Sequence, residues 1–422
     1  LKITKYSIGL GDRFGREGKA LLRAVRMARE NGAEIAPVWN KSFREHTITG
    51  SSPSDVRTLA DQAAQALSWD EPYFVDADHV TMDTVDPFIK PCDYFTIDVT
   101  SSIDRLVKQD EAKAFVDKYK PYRGKEIPAG IEAPMVISRE LMERTTAKYL
   151  YAAREAGRVY RHIESARGKG NFITEVSLDE TSRPQTPREI FIILAALNEE
   201  GVPIQAIAPK FPGRFNKGVD YVGNPEDFAG TFDDMLHVIR FAKSEFDLPP
   251  GLKISIHSGS DKFSLYPLIR ETLAKHDTGI HVKTAGTTWL EEMAQIAESG
   301  REGWEIAFSI YQSALDRFEA FYRPYQSVID IDPFEIPPPP EVNKWGGKQF
   351  AAALRHDPSS DAFNPSLRQF IHVAYGAAAE MGNRFLDALE KYRDGISEAV
   401  TRNMYENHIR HIFPGIEPKE NE

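Results

Sequence analysis

The run LKISIHSGSDKFSLYPLIRETLAKHDTGIHVKTAG, Leu252 to Gly286, holds two short β-rich segments separated by a stretch with helical periodicity. In the first segment Ile254 and Ile256 alternate with Ser255 and His257; in the second Ile280 and Val282 alternate with His281 and Lys283. Successive side chains on a strand point to opposite faces, so each segment carries one apolar and one polar face. Strand, helix, strand over this length is the repeating unit of a parallel sheet.

The unit recurs towards the amino terminus. Six further segments read as strands: YSIGLGD from Tyr6, AEIAPVWN from Ala33, PYFVDADH from Pro72, DYFTIDV from Asp93, NFITEVSLDE from Asn171 and PIQAIAPK from Pro203. A count of eight favours closure over an open sheet, and predicts an α/β fold, a (β/α)8 TIM barrel. Helix start signals punctuate the pattern, with a capping side chain, a proline whose missing N–H is harmless, and an acid near the positive helix end. Thr186-Pro187 with Glu189, Asn224-Pro225 with Asp227, and Ser52-Pro53 with Asp55 are the clearest.

The barrel is expected over residues 1–330. Within it, 100–170 forms a helical insertion after strand four, read as two helices, about Asp104 to Tyr119 and Ser138 to Ala156, that make a lid or a side wall. The proline run in IDPFEIPPPPEVNKWGG favours polyproline II and marks 331–347 as a linker. Residues 348–422 read as a C-terminal helical extension that caps the barrel or mediates homo-oligomerisation.

Composition narrows the function classes. A formal net charge of −11 over 422 residues offers no electrostatic footprint for nucleic acid or anionic lipid. The single cysteine, Cys92, excludes an internal disulfide and a cysteine-based zinc site within one chain. No apolar run is long enough to span a bilayer, and a cytoplasmic enzyme is expected.

The polar faces point to chemistry. With the apolar parity turned to the helices, the barrel axis receives Asp76 and Asp78 from strand three, Thr96 and Asp98 from strand four, and Glu175 and Ser177 from strand five. Ser255 and His257 follow from strand seven, and His281 and Lys283 from strand eight; His79 stands just past the end of strand three. Barrel interiors are ordinarily filled by branched apolar residues, so this many ionisable groups near strand ends reads as an active site. Any one of them alone reads equally well as a hydrogen-bonded structural group.

Imidazoles and carboxylates without thiolates suit a divalent Zn, Mn, Co, Ni or Fe ion. His79, Glu175 and His257 are the preferred triad, with His281 in reserve. In the alternative without metal, a histidine acts as general base and Asp78, Asp98 and Lys283 serve as acid or base. The loops SGSDKF from Ser258 and TAGTT from Thr284 follow strands seven and eight, where many barrels bind phosphate, although ordinary turns read the same way. Arg13, Arg44, Lys210, Arg214 and Lys262 stand at strand ends or in adjoining loops, as candidates for holding a substrate carboxylate or phosphate, or as surface ion pairs. GLGDRFG from Gly9 lacks the spacing of a dinucleotide loop.

Seven segments resemble the tagaturonate epimerase family, also described as tagaturonate/fructuronate epimerases. They are GLGDRFG from Gly9, DADH from Asp76, FTIDV from Phe95, EVSLDE from Glu175, IAPKFPGRFNKGVDY from Ile207, HSGSDKF from His257 and HVKTAGTTWLE from His281. The resemblance implies a divalent-metal-dependent epimerase acting on hexuluronates, with a small sugar acid or ketose as partner. In such a substrate the inverted carbon lies β to the ketone, so simple enolisation exchanges the wrong centre. Retro-aldol cleavage and re-addition solves this without a redox cofactor. A Schiff-base aldolase using Lys283 and a non-catalytic sugar-acid-binding barrel are the rival readings.

Overall fold

Each apolar-polar alternation becomes a strand, and the strands close on one another in the computed structural model, which describes residues 1–127, 135–284 and 286–417. The barrel strands are β1 (Tyr6–Gly11), β2 (Ile35–Ser42), β3 (Phe74–Val80), β4 (Tyr94–Asp98), β5 (Ile173–Ser177), β6 (Ala206–Ala208), β7 (Lys253–Ile256) and β8 (Ile280–Lys283). All neighbours run parallel, and β8 pairs with β1 to complete the ring. The fold is therefore the (β/α)8 barrel that the count of eight predicts.

Two kinds of core follow from strand parity. Ile8, Ile254, Ile256, Ile280 and Val282 are buried between the barrel and its helices. Inside, a small separate cluster of Ala36, Val38, Phe74, Tyr94 and Ile173 plugs the amino-terminal half of the barrel. Polar side chains take over from there on β3, β4, β5 and β8. Gly9 makes room for them: a Cβ at this position would stand 2.9 Å from Asn40 Oδ1 and 3.1 Å from Lys283 Cα.

The helix caps follow the sequence. Thr186 accepts from Glu189 N while the Glu189 carboxylate returns to Thr186 N at 2.7 Å, and Asp55 accepts from Ser52 N at 2.7 Å. Asn224 caps its helix through Glu226 N at 3.0 Å rather than through a box with Asp227.

The insertion differs from its expected outline. Its helices are Gln109–Lys118 and the 29-residue Arg139–Arg167, and a two-stranded ribbon pairs Glu126–Ile127 with Met135–Val136 between them. Residues 128–134 lie outside the described residues. The long helix packs on the helix Pro187–Glu199, in the layer of helices around the barrel.

The proline segment is also shorter than expected. A 3-10 turn at Pro333–Glu335 leads through extended Ile336 to the helix Pro339–Leu354, which is kinked at Gly346 (φ 70, ψ 175). Proline is tolerated in a first helical turn, where no N–H is missed, so the run of four starts a helix instead of continuing as polyproline to 347. That helix packs on Thr287–Glu298 and Arg301–Leu315, and Arg393–Arg402 packs on Gly18–Glu30. Residues 418–422 lie outside the described residues. No helix among the described residues is long and apolar enough to cross a membrane.

Candidate active site

At the carboxyl end of the barrel β3 is irregular. Its register to β4 slips between Ala77 and Val80, and His79 adopts φ 55. A bulge of one residue re-aims a side chain that strict alternation would send outward. A left-handed backbone at a non-glycine residue is rare and clusters at functional sites. Here it turns His79 towards the axis, where its ring lies 4.9 Å from that of His257 on the far side.

Asp179, two residues past the end of β5, stands between them. It lies 3.5 Å from His79 Nε2 and 3.1 Å from His257 Nδ1. Both nitrogens are buried, and neither makes a hydrogen bond of ordinary geometry. One donor atom from each of His79, Asp179 and His257 lies within 4.8 Å of the others. Three donors that converge on a point rather than on each other fit a divalent ion.

The opposite edge of each imidazole is held by a second carboxylate. His79 Nδ1–H donates to Asp78 at 2.8 Å and His257 Nε2–H to Glu175 at 2.6 Å. A carboxylate only accepts, so these contacts fix the proton on the outer nitrogen and leave the inner one free to ligate. Glu175, expected as a ligand, is thus found behind His257, and the convergent carboxylate is Asp179. The parity that selected Glu175 and Ser177 reaches Asp179 one step later.

Lys283 organises the remaining charge. Its Nζ lies 2.7 Å from both Asp76 Oδ2 and Asp78 Oδ1 and 3.7 Å from Glu175 Oε1, and it also donates to Thr96 Oγ1. Burial alone would push the amine down, but the three carboxylates hold it above the ordinary lysine value. Burial likewise favours protonation of Glu175, yet Lys283 and His257 keep its carboxyl well below the usual range. Asp76 is pushed up to about 6, chiefly by burial, against the pull of Lys283.

His281 sits elsewhere. Its Nδ1 meets Ser7 Oγ at 2.8 Å, its ring lies 5.3 Å from Tyr94, and burial lowers it to about 3. It belongs to the layer beneath the cluster, beside buried Lys253, whose Nζ donates to Ser7 Oγ at 2.9 Å. Asp98 accepts from Thr100 N at 2.9 Å and caps the turn after β4.

A cleft opens above Asp179 and His257, and Lys210, Arg214, Asn216 and Ser258 line it. Two of the five basic candidates are therefore brought to the cluster. Lys210 donates to Thr181 O, and Arg214, with 47% of its side chain exposed, reaches Asp330 at 3.2 Å. Ser327 and Val328 close the cleft from the chain's later part.

The other three stand apart. Arg13 is buried against Glu45 at 3.1 Å and lies over the Tyr375 ring. Arg44 lies over the Tyr325 ring at 5.3 Å. Lys262 donates to the carbonyls of Asn216, Val219 and Ser260 at 2.8 to 2.9 Å, so the cation of the SGSDKF loop is occupied within its own fold. In the TAGTT loop Thr284 donates to Gly9 O, and Ala285 lies outside the described residues.

A model of the tagaturonate epimerase family matches residues 1–412. The chain belongs to the tagaturonate epimerase family. That membership places it among the epimerases, enzymes of the isomerase class. A tagaturonate/fructuronate epimerase of Thermotoga maritima is 28% identical over 418 residues, covering 95% of this chain and 79% of that protein. Native, one-glycerol and two-glycerol structures of fructuronate-tagaturonate epimerase from Cohnella laeviribosi share the fold, with TM-scores of 0.77 to 0.79 at 24% identity. They align with 96% of this chain and 81 to 82% of theirs.

Proposed function

We propose that this member of the tagaturonate epimerase family interconverts tagaturonate and fructuronate, inverting the hydroxyl-bearing carbon β to the ketone by retro-aldol and aldol steps. The observation that carries this reading is the pair of unpartnered imidazole nitrogens converging with Asp179 at the floor of a cleft with two cations in its wall. His79, Asp179 and His257 would hold a divalent ion, of Zn, Mn, Co, Ni or Fe. Such an ion supplies Lewis-acid polarisation of the ketone and its neighbouring hydroxyl.

The chain's own groups do the rest. Lys210 and Arg214 hold the substrate carboxylate, which sets the register of the sugar in the cleft. Asp78 receives the proton of the β-hydroxyl at Oδ2, since its Oδ1 already accepts from His79 and Lys283, and Lys283 Nζ, 2.7 Å from Oδ1, returns it. Loss of that proton breaks the bond between the α and β carbons and leaves an enediolate and an aldehyde. The aldehyde turns over, the bond reforms on its other face, and the hydroxyl is reprotonated. Ser327 and Val328 help retain the fragment. Lys283, an ammonium between two carboxylates, is poorly suited to form a Schiff base.

The test is to incubate metal-replete protein with tagaturonate or fructuronate in D2O and follow each carbon by NMR. Interconversion with hydrogen retained on the inverted carbon is expected, since that hydrogen stays on the aldehyde. Deuterium at that carbon would overturn the retro-aldol route, and no interconversion with any of the five metals would overturn the activity.

A further inference from the structure

Outside the barrel, the helix Pro225–Glu245 packs beside the helix Tyr266–His276. Asp233 and His237, four residues apart, share one face of the first helix, and His276 ends the second. Asp233 Oδ1 lies 2.7 Å from His276 Nε2, and Asp233 Oδ2 lies 3.5 Å from His237 Nε2. The two imidazoles meet edge to face with centroids 4.7 Å apart. One donor atom from each of the three residues lies within 4.8 Å of the others. Donors on one tetrahedral zinc ion stand roughly 3.3 Å apart, a spacing that the two carboxylate gaps bracket.

Ordinary hydrogen bonding accounts for His276, whose Nε2 pairs with Asp233. It does not account for His237. That side chain is 10% exposed, and its Nε2 is buried with no hydrogen-bond partner although it faces the same carboxylate. A buried polar atom left unpaired is uncommon enough to need a reason.

We infer that Asp233, His237 and His276 form a second, peripheral site for a divalent transition-metal ion of the zinc, cobalt or nickel class. Two imidazoles and one carboxylate, with no thiolate, match the preference of these ions. Three protein donors leave room for water to complete the shell. Lys275 Nζ, 2.7 Å from Asp233 and on a side chain that is 60% exposed, is the cation that an arriving ion releases into solvent. Arg240 Nη2 stands 3.3 Å from His276 Nδ1 and 3.4 Å from the His276 carbonyl. With the ion on Nε2 the proton moves to Nδ1, and Arg240 keeps the carbonyl contact alone. Repulsion from these two cations makes this the weaker of the two sites. An ion here ties two adjacent barrel helices, so its effect falls on stability and not on turnover.

Equilibrium dialysis of the metal-stripped full-length chain against ZnCl2 tests the assignment. Wild type should hold one ion more per chain than His237→Ala, and ZnCl2 should raise the Tm of wild type further than that of the variant. Lys275→Ala, which removes the competing cation, should bind the peripheral ion severalfold more tightly. Both variants keep the barrel cluster intact, so the difference in count is readable whether or not that cluster binds metal. Equal counts in wild type and His237→Ala, together with unchanged affinity in Lys275→Ala, would overturn the proposal.

Discussion

The rim cluster of His79, Asp179 and His257 and the outer cluster of Asp233, His237 and His276 draw on the same residue types, two histidines and an aspartate each. Their surroundings are opposite. At the rim, each histidine donates its outer N–H to a carboxylate, Asp78 or Glu175, and those acids are balanced by one buried lysine. At the outer cluster, among the described residues, Arg240 and not a carboxylate stands at the outer nitrogen of His276, and Lys275 is mostly in water. Backing carboxylates orient an imidazole and raise its basicity, whereas a neighbouring cation repels an incoming ion. Three ligand-type residues in reach make a site conceivable; the next shell decides how tightly it holds and whether it serves chemistry.

The sharpest way to break this contrast is His257→Ala, which should lower kcat/KM about a thousandfold or more, since it removes a ligand worth several kcal/mol of transition-state stabilisation. Steady-state epimerisation read alongside bound metal would check it. Retained turnover with unchanged metal content would dissolve the rim cluster as a catalytic centre.

The two lysines separate next. Lys283→Met leaves Asp76 and Asp78 buried without the cation that balances them, and should cost about 3–5 kcal/mol in urea unfolding. Lys275→Met, whose ammonium is largely in water although Asp233 is not, should cost about 1 kcal/mol or less. Equal costs would mean that the rim carboxylates are not charged in the folded protein.

Glu175→Gln probes the backing itself. Metal affinity at the rim should fall about 10- to 100-fold while the ion count per chain at saturation stays the same. A lost ion would instead make Glu175 a direct ligand. Arg214→Ala follows with a rise in KM of about tenfold and little change in kcat, the signature of binding that is equal in ground and transition states. The smallest effect belongs to His237→Ala, for which kcat/KM should stay within about twofold of wild type, because none of Asp233, His237 and His276 lines the cleft.

Much of the fold was readable because its signal is local. Alternation in KISI and IHVK fixes the faces of single strands, and eight such segments leave few topologies. The same parity picked out Asp76, Asp78, Glu175, His257 and Lys283, which the barrel does bring together. His79 was found by its place just past the strand, but its inward aim depends on a bulge that no local pattern announces. Asp179 shares the parity of Glu175 and Ser177, but it lies past the end of the strand, where alternation no longer fixes a side chain's direction. The basic candidates fared unevenly, since a charge in sequence does not say what it will meet. Lys262 meets three carbonyls, while Arg214 meets a cleft.

The sequence by itself determined the barrel, the polar rim and the family. Only the tertiary structure decided which nitrogen of each histidine is free, which carboxylate converges and which stands behind, and that an equivalent trio lies between two outer helices. The reason is physical: side-chain parity and helix period are properties of neighbouring residues, whereas convergence of donor atoms depends on closing the ring and packing the helices. Those steps join residues as far apart in the chain as Asp78 and Lys283.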